Sequence, residues 1–400
     1  MRILQLTPKP PLPAVDGGAL AMNSVTEGLL SENHSVKVIC IETKKHPFLT
    51  EKISAEYKKA TTIESVYVST GVNIFSAFFN LFSSSSYNVD RFYSKTFANK
   101  LIAILQKEKF DIVQIEGLYM MPYFEIIRQY SKAKIILRAH NVESKLWGRR
   151  TEQEKSGLKK KWFQHLTKNM LSYERNAFSI ADGILPITPE DAKTIAELLN
   201  GKTPPIAVLP FAMQLPEIIS EEKAKPFTVF HIGSMDWEPN SEGVNWLTKE
   251  IWPLVLSKIP HAELHLAGRC LEKDDLRFYG KNIFVHGEVE NAFDFMNEYF
   301  IMTVPLLTGG GMRVKLVEGM ALGKAIVTTS IGAEGTNTTN EQQLMIQNSP
   351  EDFATAICQL LNNEVFSNAL GKRAKDFAKT NFDSAVASKK MTDFYSSLLS

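Results

Sequence analysis

The sequence predicts an α/β protein built from two Rossmann-like, doubly wound domains, each a parallel sheet covered by helices. Short apolar runs alternate with longer amphipathic segments, which is typical of parallel strands linked by helices. The alternation stops between Pro210 and Pro226 and then begins again. A chain of 400 residues is also long enough for more than one domain. We therefore expect two domains facing each other, with a ligand site in the cleft between them.

The first half of the chain carries a series of predicted strands, each a short apolar run bounded by turn residues. They are Arg2–Thr7, Ser35–Ile41, Val66–Val68, Asp111–Glu116, Lys134–Arg138 and Gly183–Ile187. Segments with helical apolar spacing lie between these strands and predict helices. They are Gly18–Ser31, Arg91–Glu108 and Arg149–Ser179.

The second half repeats this alternation after a further short predicted strand at Ala207–Leu209. Its predicted strands are Thr228–Ile232, Glu263–Ala267, Asn282–Val285, Phe300–Val304, Ala325–Thr328 and Leu344–Ile346. We therefore expect an N-terminal domain at 1–205, a linker at 206–226 and a C-terminal domain at 227–380. A last helix at 381–400 is expected to return to the N-terminal domain.

Composition excludes several classes of protein. Charged residues make up 22% and the formal net charge is +1, so the chain is neither a histone-like polycation nor an acidic tail. No apolar run is long enough to span a bilayer, and the N-terminus lacks a signal peptide's apolar core. Cys40, Cys270 and Cys358 form no C-x-x-C pair, so neither a disulfide framework nor a zinc site is indicated. We expect a cytoplasmic protein.

The segment Thr308–Met320, TGGGMRVKLVEGM, is the strongest local signal for chemistry. Three glycines follow a predicted strand and precede an amphipathic helix, whose first turn holds Arg313 and Lys315. The helix dipole disfavours cations there, and a bound phosphate would remove the conflict. Glu318 follows on the same face and suits the two hydroxyls of a ribose. The alternative is a glycine-rich turn with an ordinary Lys–Glu pair.

Two further candidates follow predicted strands of the first half. Gly17 and Gly18 open a helix after the first strand, where a tight turn is the alternative to anion binding. They do not form G-x-G-x-x-G, so nothing supports a nicotinamide cofactor. His140 follows the strand Lys134–Arg138, at the edge where doubly wound sheets present ligand-binding residues. A structural hydrogen bond would explain this histidine equally well.

Together these segments resemble a known family. The matching segments include RAHNVES, YERNAFSIADGILPIT, IGSMDWEPNSEGVNWL and VPLLTGGGMRVKLVEGMALGKAIVTTSIGAEG. They are similar to retaining glycosyltransferases of family 4, also described as glycosyl transferases group 1, whose two-domain architecture is the GT-B fold. The resemblance covers nearly the whole chain and is most specific over residues 304–335.

The resemblance implies a role for each matching position. Glu318 stands where the family holds the ribose hydroxyls, and His140 stands at the interdomain histidine that faces the donor sugar. Arg313 and Lys315 are implied to supply positive charge to the diphosphate, as in a subgroup that carries G-G-G-x-R-x-K. Contacts with the donor are implied for Gly17, Gly18, Gly233, Ser234, Asn240, Gly287, Val289, Gly310, Gly311, Met312 and Val314.

Three features depart from the family pattern. Gly310 replaces the first of two glutamates, and Ser234 and Glu242 replace an Arg and a Lys that bind the diphosphate. The sequence VLPFAMQLP replaces an Asn-Gly turn at the linker. These departures bear on the identity of the donor more than on the fold or the class of reaction.

The function implied is sugar transfer from a nucleotide-sugar donor to a glycan or lipid-linked acceptor, with retention at the anomeric carbon. The expected context is bacterial cell-surface polysaccharide synthesis. No metal or other cofactor and no nucleic acid partner is expected. Two alternatives stay open: a sugar-nucleotide epimerase of the same fold, and a non-catalytic protein that binds sugar nucleotides.

The charge is distributed unevenly, with a net +7 over residues 1–200 and −6 over residues 201–400. Phenylalanines and cations are close together in the first half, which suits an anionic membrane surface. They are Phe75, Phe78, Phe79, Phe82, Arg91, Lys95, Lys100 and the run Lys159–Trp162. A buried core loop with a solvated charge run is the alternative. We expect peripheral binding at the inner face of the membrane.

Overall fold

The computed structural model describes residues 1–14, 17–71, 86–154, 156–201, 203–215, 224–272, 275–278, 280–309 and 312–400. The chain forms two compact units. The N-terminal unit comprises Met1–Met213 together with Ser384–Ser400, and the C-terminal unit comprises Gln214–Asp383.

The N-terminal unit is a six-stranded parallel sheet with helices on both faces. Its strand order is β3-β2-β1-β4-β5-β6, the order of a Rossmann fold. In chain order the described elements are β1 (Arg2–Thr7), α1 (Gly17–Ser31), β2 (Ser35–Glu42), α2 (Ala55–Thr61), β3 (Glu64–Tyr67), α3 (Tyr87–Asp90), α4 (Lys95–Lys107), β4 (Ile112–Glu116), α5 (Phe124–Tyr130), β5 (Lys134–Ala139), α6 (Glu143–Gln153), α7 (Gly157–Ile180), β6 (Gly183–Pro186) and α8 (Pro189–Leu198). Short 3-10 turns lie at Thr50–Lys52 and Leu118–Tyr123.

The strands of this sheet form because both faces are buried. In β1, Leu4 and Leu6 pack in the core on one face, while Ile3 packs in a second core on the other. Successive side chains of a strand point to opposite faces, so a strand covered on both sides needs apolar residues at nearly every position. The short apolar runs of the sequence are therefore buried parallel strands.

Two helices predicted in this unit are interrupted in the structure. The predicted helix Arg91–Glu108 begins only at Lys95, because Ser94 is extended and donates its N–H to Tyr123 Oη at 2.9 Å. The predicted helix Arg149–Ser179 is instead two helices, α6 and α7, since the backbones of Glu154 and Ser156 are extended. Apolar spacing alone does not reveal these breaks.

The C-terminal unit repeats the architecture. Its sheet is also parallel, in the order β12-β11-β10-β7-β8-β9, which is again the Rossmann order. The described elements are β7 (Lys225–Ile232), α9 (Glu238–Trp246), a π-helical turn (Leu247–Ile251), α10 (Trp252–Lys258), β8 (Glu263–Ala267), a 3-10 turn (Leu276–Phe278), β9 (Ile283–Gly287), α11 (Ala292–Glu298), β10 (Tyr299–Val304), α12 (Val314–Ala321), β11 (Ala325–Thr328), β12 (Met345–Ile346), α13 (Pro350–Asn362) and α14 (Glu364–Phe382).

Two segments near the predicted domain boundaries pack on the N-terminal unit. Residues 206–213, which the sequence assigns to a linker, belong to this unit, and Leu209 is buried in its core. The last helix, α15 (Ser384–Leu399), lies against α1 and buries Met391 and Tyr395 in the same core. The N-terminal unit therefore includes a segment, Ser384–Ser400, that follows the C-terminal unit in sequence.

Candidate functional site

The strand order of the C-terminal sheet reverses between β7 and β10, and the candidate site lies where these two strands end. β7 ends at Ile232 and β10 ends at Val304. Ligands of doubly wound sheets bind at this switch point, beyond the carboxyl ends of the strands. The loops that follow are 233–237 and 305–313, and the predicted contacts Gly310 and Gly311 lie outside the described residues.

Arg313 is a buried cation at the start of α12, where it is the N-cap residue. Its guanidinium lies over the ring of Trp237, 5.3 Å from the centroid. Burial lowers the pKa of this guanidinium and Glu334 opposes the shift, but arginine stays charged at neutral pH. A positive charge and the N-terminus of a helix thus coincide, and both stabilise an anion.

Lys315 lies in the first turn of α12 and is partly buried. Its Nζ donates to Asn240 Oδ1 at 2.7 Å and lies 3.4 Å from His231 Nε2. Burial, strengthened by the charge of Arg313 and opposed by that of Glu318, lowers the pKa of Lys315 to about 7. A bound anion would stabilise the charged form of Lys315, because an opposite charge raises the pKa of a desolvated lysine again.

Glu318 follows Lys315 by three residues on the same helix and is also partly buried. Burial raises the pKa of its carboxyl, and the charge of Lys315 opposes that shift. An ionised carboxylate has two acceptor oxygens, so it can accept one hydrogen bond from each of two neighbouring hydroxyls. The structure therefore places one carboxylate and two cations on the first turns of a single helix.

The loop after β7 packs closely around Lys315. Asn240 Nδ2 donates to the carbonyl of Ser234 at 2.8 Å, which directs Asn240 Oδ1 towards the ammonium. A Cβ on Gly233 would lie 2.6 Å from Lys315 Nζ and 2.8 Å from Asn240 Nδ2, so a larger residue would displace both. Gly233 and Asn240, both predicted donor contacts, thus lie beside one cation, and Ser234, a third, orients Asn240.

The remaining predicted donor contacts of this unit have the following places. Gly287 ends β9 with a positive φ of 76°, and its carbonyl accepts the N–H of Gly268 at 2.8 Å. Val289, two residues further, is partly buried. Met312 and Val314 flank Arg313 and are also partly buried. Their contact with a donor stays a prediction.

Glu242, which replaces a family lysine, accepts a hydrogen bond from Thr308 Oγ1 at 2.6 Å. The carboxylate therefore ties α9 to the loop that precedes α12. It contributes no positive charge, whereas Arg313 and Lys315 each place a cation at the start of α12.

His140 belongs to the N-terminal unit, directly after β5, and its Nε2 lies 2.7 Å from Glu116 Oε2. Glu116 is fully buried at the end of β4, where Gln5 Nε2 donates to it at 3.0 Å and Arg138 Nη1 lies at 3.4 Å. Burial by itself would raise the pKa of Glu116, but Arg138, His140 and Gln5 together hold it below its ordinary value. An ionised Glu116 can therefore fix the orientation of the His140 ring.

Gly17 and Gly18 begin α1 of the same unit. A Cβ on Gly17 would meet nothing within 4 Å, so space does not require glycine there. Both lie on the helix that follows β1, at the reversal of strand order between β1 and β4. Their contact with a phosphate stays a prediction.

The residues proposed to face a membrane are only partly described. Phe75, Phe78, Phe79 and Phe82 lie outside the described residues. Lys100 pairs with Glu64, and Lys159 Nζ lies 2.7 Å from Glu154 Oε2, so carboxylates offset two of the cations. Among the described helices, none is both long and apolar enough to cross a bilayer.

Three residues of these sites were missed by the sequence analysis: Glu116, His231 and Trp237. Glu116 ends one predicted strand and His140 follows another, so pairing those two strands would have brought them together. The observed register does pair Glu116 with Arg138. His231 and Trp237 lie just before and just after Gly233 in sequence. No spacing in the sequence shows that His231 reaches Lys315 or that Trp237 reaches Arg313.

Comparisons with known proteins give one matching family and several similar folds. Residues 226–363 match the family described as glycosyl transferases group 1. A relative from Klebsiella pneumoniae, described as an uncharacterized 44.6 kDa protein in the cps region, is 24% identical over 96% of this chain and 97% of its own length.

Among solved structures, sucrose-phosphate synthase from Thermosynechococcus elongatus has a TM-score of 0.65 at 13% identity, covering 100% of this chain and 99% of that one. HepE of Anabaena in complex with UDP has a TM-score of 0.66 at 11% identity, covering 99% of this chain and 100% of that one. The two structures support the fold.

Proposed function

We propose that the chain is a retaining glycosyltransferase, because residues 226–363 match the family described as glycosyl transferases group 1 and the chain has the GT-B fold. Its donor is a nucleotide sugar, and its acceptor is a glycan or a lipid-linked glycan. The Klebsiella relative in the cps region supports a role in bacterial cell-surface polysaccharide synthesis.

One observation carries this proposal: two cations and one carboxylate on the first turns of α12, at the switch point of the C-terminal sheet. In the proposed complex, Arg313 and Lys315 bind the donor's diphosphate, and Glu318 binds the ribose hydroxyls. HepE, a protein of the same fold, was solved with UDP.

The proposed chemistry breaks the bond between the anomeric carbon and the diphosphate. Negative charge develops on the departing phosphate, and preorganised donors at that point lower the barrier most. Arg313, Lys315 and the N-terminus of α12 provide these donors. The acceptor hydroxyl attacks from the face that the phosphate leaves and gives its proton to that phosphate, so the anomeric configuration is retained. His140, oriented by Glu116, positions the donor sugar.

No metal is required in this mechanism, because protein cations carry the charge stabilisation. The expected location is the cytoplasmic side of the membrane, where a lipid-linked acceptor would be presented. The positive net charge of residues 1–200 supports attraction to an anionic surface.

The proposal is tested first with nucleotides. A thermal-shift screen against UDP, GDP, ADP, dTDP and CMP should raise the melting temperature with one diphosphate, because binding stabilises the native state by mass action. The sugar forms of that nucleotide are then incubated with an acceptor panel, with and without EDTA. Mass spectrometry should detect an EDTA-insensitive product, and NMR of its anomeric proton should show the configuration of the donor.

The same incubation without acceptor separates the alternatives. A sugar that changes configuration while still attached to its nucleotide would identify an epimerase. Nucleotide binding with no product across the acceptor panel would favour a non-catalytic binding protein. Inversion at the anomeric carbon would refute the retaining mechanism.

A further inference from the structure

His231 is a fully buried histidine beside Lys315 for which the proposed function has no role so far. It lies in β7, one residue before the strand ends, and its side chain meets β10 and α12. Its Nδ1 lies 2.9 Å from the carbonyl oxygen of Thr303, and its Nε2 lies 3.4 Å from Lys315 Nζ.

These two contacts determine the tautomer of the ring. A carbonyl oxygen only accepts hydrogen bonds, so Nδ1 carries the proton that it donates to Thr303. Burial, followed by the charge of Lys315, lowers the pKa of His231 well below its ordinary value, so the ring is neutral. Nε2 then has a free lone pair, and it accepts a hydrogen bond from the Lys315 ammonium.

Lys315 is consequently held by two neutral acceptors, His231 Nε2 and Asn240 Oδ1. An ammonium has three protons, and among the described residues of the site two of them have an acceptor. Two neutral acceptors fix the position of a cation without neutralising its charge. The charge remains available to an anion, and the geometry is set before that anion arrives.

The surroundings leave the ammonium little freedom to move. Gly233 is so close that a Cβ there would lie 2.6 Å from Nζ. The guanidinium of Arg313 repels it from one side, and Glu318 attracts it from the same helix. Without the acceptor on β7, Asn240 Oδ1 would be the one neutral acceptor left to hold the ammonium against the attraction of Glu318.

We propose that His231 is a positioning residue, which accepts a hydrogen bond from Lys315 and so aims the ammonium at the diphosphate of the donor. This inference rests on the proposed function, because it assumes that the ligand of Lys315 is a nucleoside diphosphate. The tautomer is set by the carbonyl of Thr303 on the neighbouring strand, so the sheet itself orients the cation.

The test compares His231→Leu, which removes the acceptor, with His231→Gln, whose amide can both donate to Thr303 and accept from Lys315. UDP, GDP, ADP and dTDP are titrated by calorimetry into the full-length protein. We expect His231→Leu to raise the Kd of the preferred diphosphate at least fivefold, and His231→Gln to stay within twofold of wild type. His261→Leu, a change of the same kind at an exposed histidine of the same unit, should leave the Kd unchanged.

A double-mutant cycle distinguishes positioning from general damage to the fold. In a Lys315→Met background, His231→Leu should change the Kd less than twofold, because its effect passes through the lysine. Equal weakening in both backgrounds would overturn the positioning role, and so would unchanged binding by His231→Leu alone. Either result would leave the proposed function standing, whereas a wild-type protein that binds none of the four diphosphates would overturn both.

A second measurement does not depend on the leucine variant folding. Histidines labelled with ¹⁵N report the protonated ring nitrogen by their chemical shifts, and the signal lost in His231→Gln identifies His231. We expect the Nδ1–H tautomer in wild type, and an Nε2–H tautomer would overturn the inference.

Discussion

The reduced pKa of Lys315 predicts that donor binding weakens as the pH rises above 7. In the free protein, burial holds the pKa of this lysine at about 7. A bound diphosphate raises it towards the ordinary value for lysine, so binding takes up a proton. Affinity is therefore greatest when Lys315 is already charged, and it declines once the free protein loses that proton.

The size of the effect follows from the same value. If the bound diphosphate restores an ordinary lysine pKa, the Kd rises roughly 50-fold between pH 7 and pH 9, a change of about 2.3 kcal/mol. The other groups that face this ammonium hardly titrate in that interval. Arg313 stays charged, and the pKa of His231 is lowered well below 6.5. The pKa of a terminal phosphate, about 6, also lies below the interval from pH 7 to pH 9.

Calorimetry of the preferred nucleoside diphosphate from pH 7 to pH 9 provides the assay. Repeating the titration at pH 8 in two buffers with different ionisation enthalpies should show an uptake of about 0.9 proton per ligand. Lys315→Arg, whose side chain keeps its charge, should bind with little dependence on pH. A wild-type Kd that is constant over this range, or the same slope in Lys315→Met, would refute the reasoning.

Three further predictions concern both units. Glu318→Ala should weaken nucleoside diphosphate binding about tenfold or more, because hydrogen bonds to a charged group contribute about 1.5–3 kcal/mol; unchanged affinity in calorimetry would exclude ribose contact. Glu116→Leu should destabilise the N-terminal unit by about 3–5 kcal/mol in urea unfolding, since it leaves the buried charge of Arg138 without its carboxylate; a loss below ~1 kcal/mol would contradict this. Gly268→Ala should impair both folding and nucleotide binding, because Gly268 has a φ of +144° and a Cβ there would meet the carbonyl oxygen of Gly233. A variant with the wild-type melting temperature and Kd would contradict this and show that the loop adjusts freely.

The fold could be predicted largely from the sequence because both sheets are covered on both faces. The predicted bounds of Arg2–Thr7, Glu263–Ala267 and Ala325–Thr328 are those observed, and at most one residue of each strand is not buried. The alternation of apolar runs with amphipathic segments predicts two parallel sheets, and the structure confirms both. Bounds are less accurate at Asn282–Val285, where the strand continues to Gly287.

Features set by backbone geometry could not be predicted. The sequence Leu247–Ile251 has the composition of an ordinary helix, yet it forms a π-helical turn in which Trp252 N–H bonds to the carbonyl of Leu247. Pro253 follows immediately and has no N–H to donate, so the chain must change its pattern there. The interruption at Ser94 could not be predicted either, because its N–H bonds to Tyr123 Oη, 29 residues further along the chain.

Part of the candidate site could be predicted from the sequence and part could not. Lys315 and Glu318 lie on one helix, so their proximity follows from local spacing. Asn240 and His231 are 75 and 84 residues from Lys315 in sequence, and they reach it only because β7 and β10 are neighbours. Pairings over such distances depend on strand order, which apolar periodicity does not determine.

The last helix has a consequence for the order in which the chain folds. The C-terminal unit is continuous in sequence, from Gln214 to Asp383, so its core forms within one stretch of chain. The N-terminal unit is discontinuous, because Met391 and Tyr395 of α15 pack with Ile3 and Leu29 in one core. Closing a flexible loop of that length costs about 4–5 kcal/mol. Contacts of high sequence separation slow folding, so the N-terminal core is expected to be the later of the two to form.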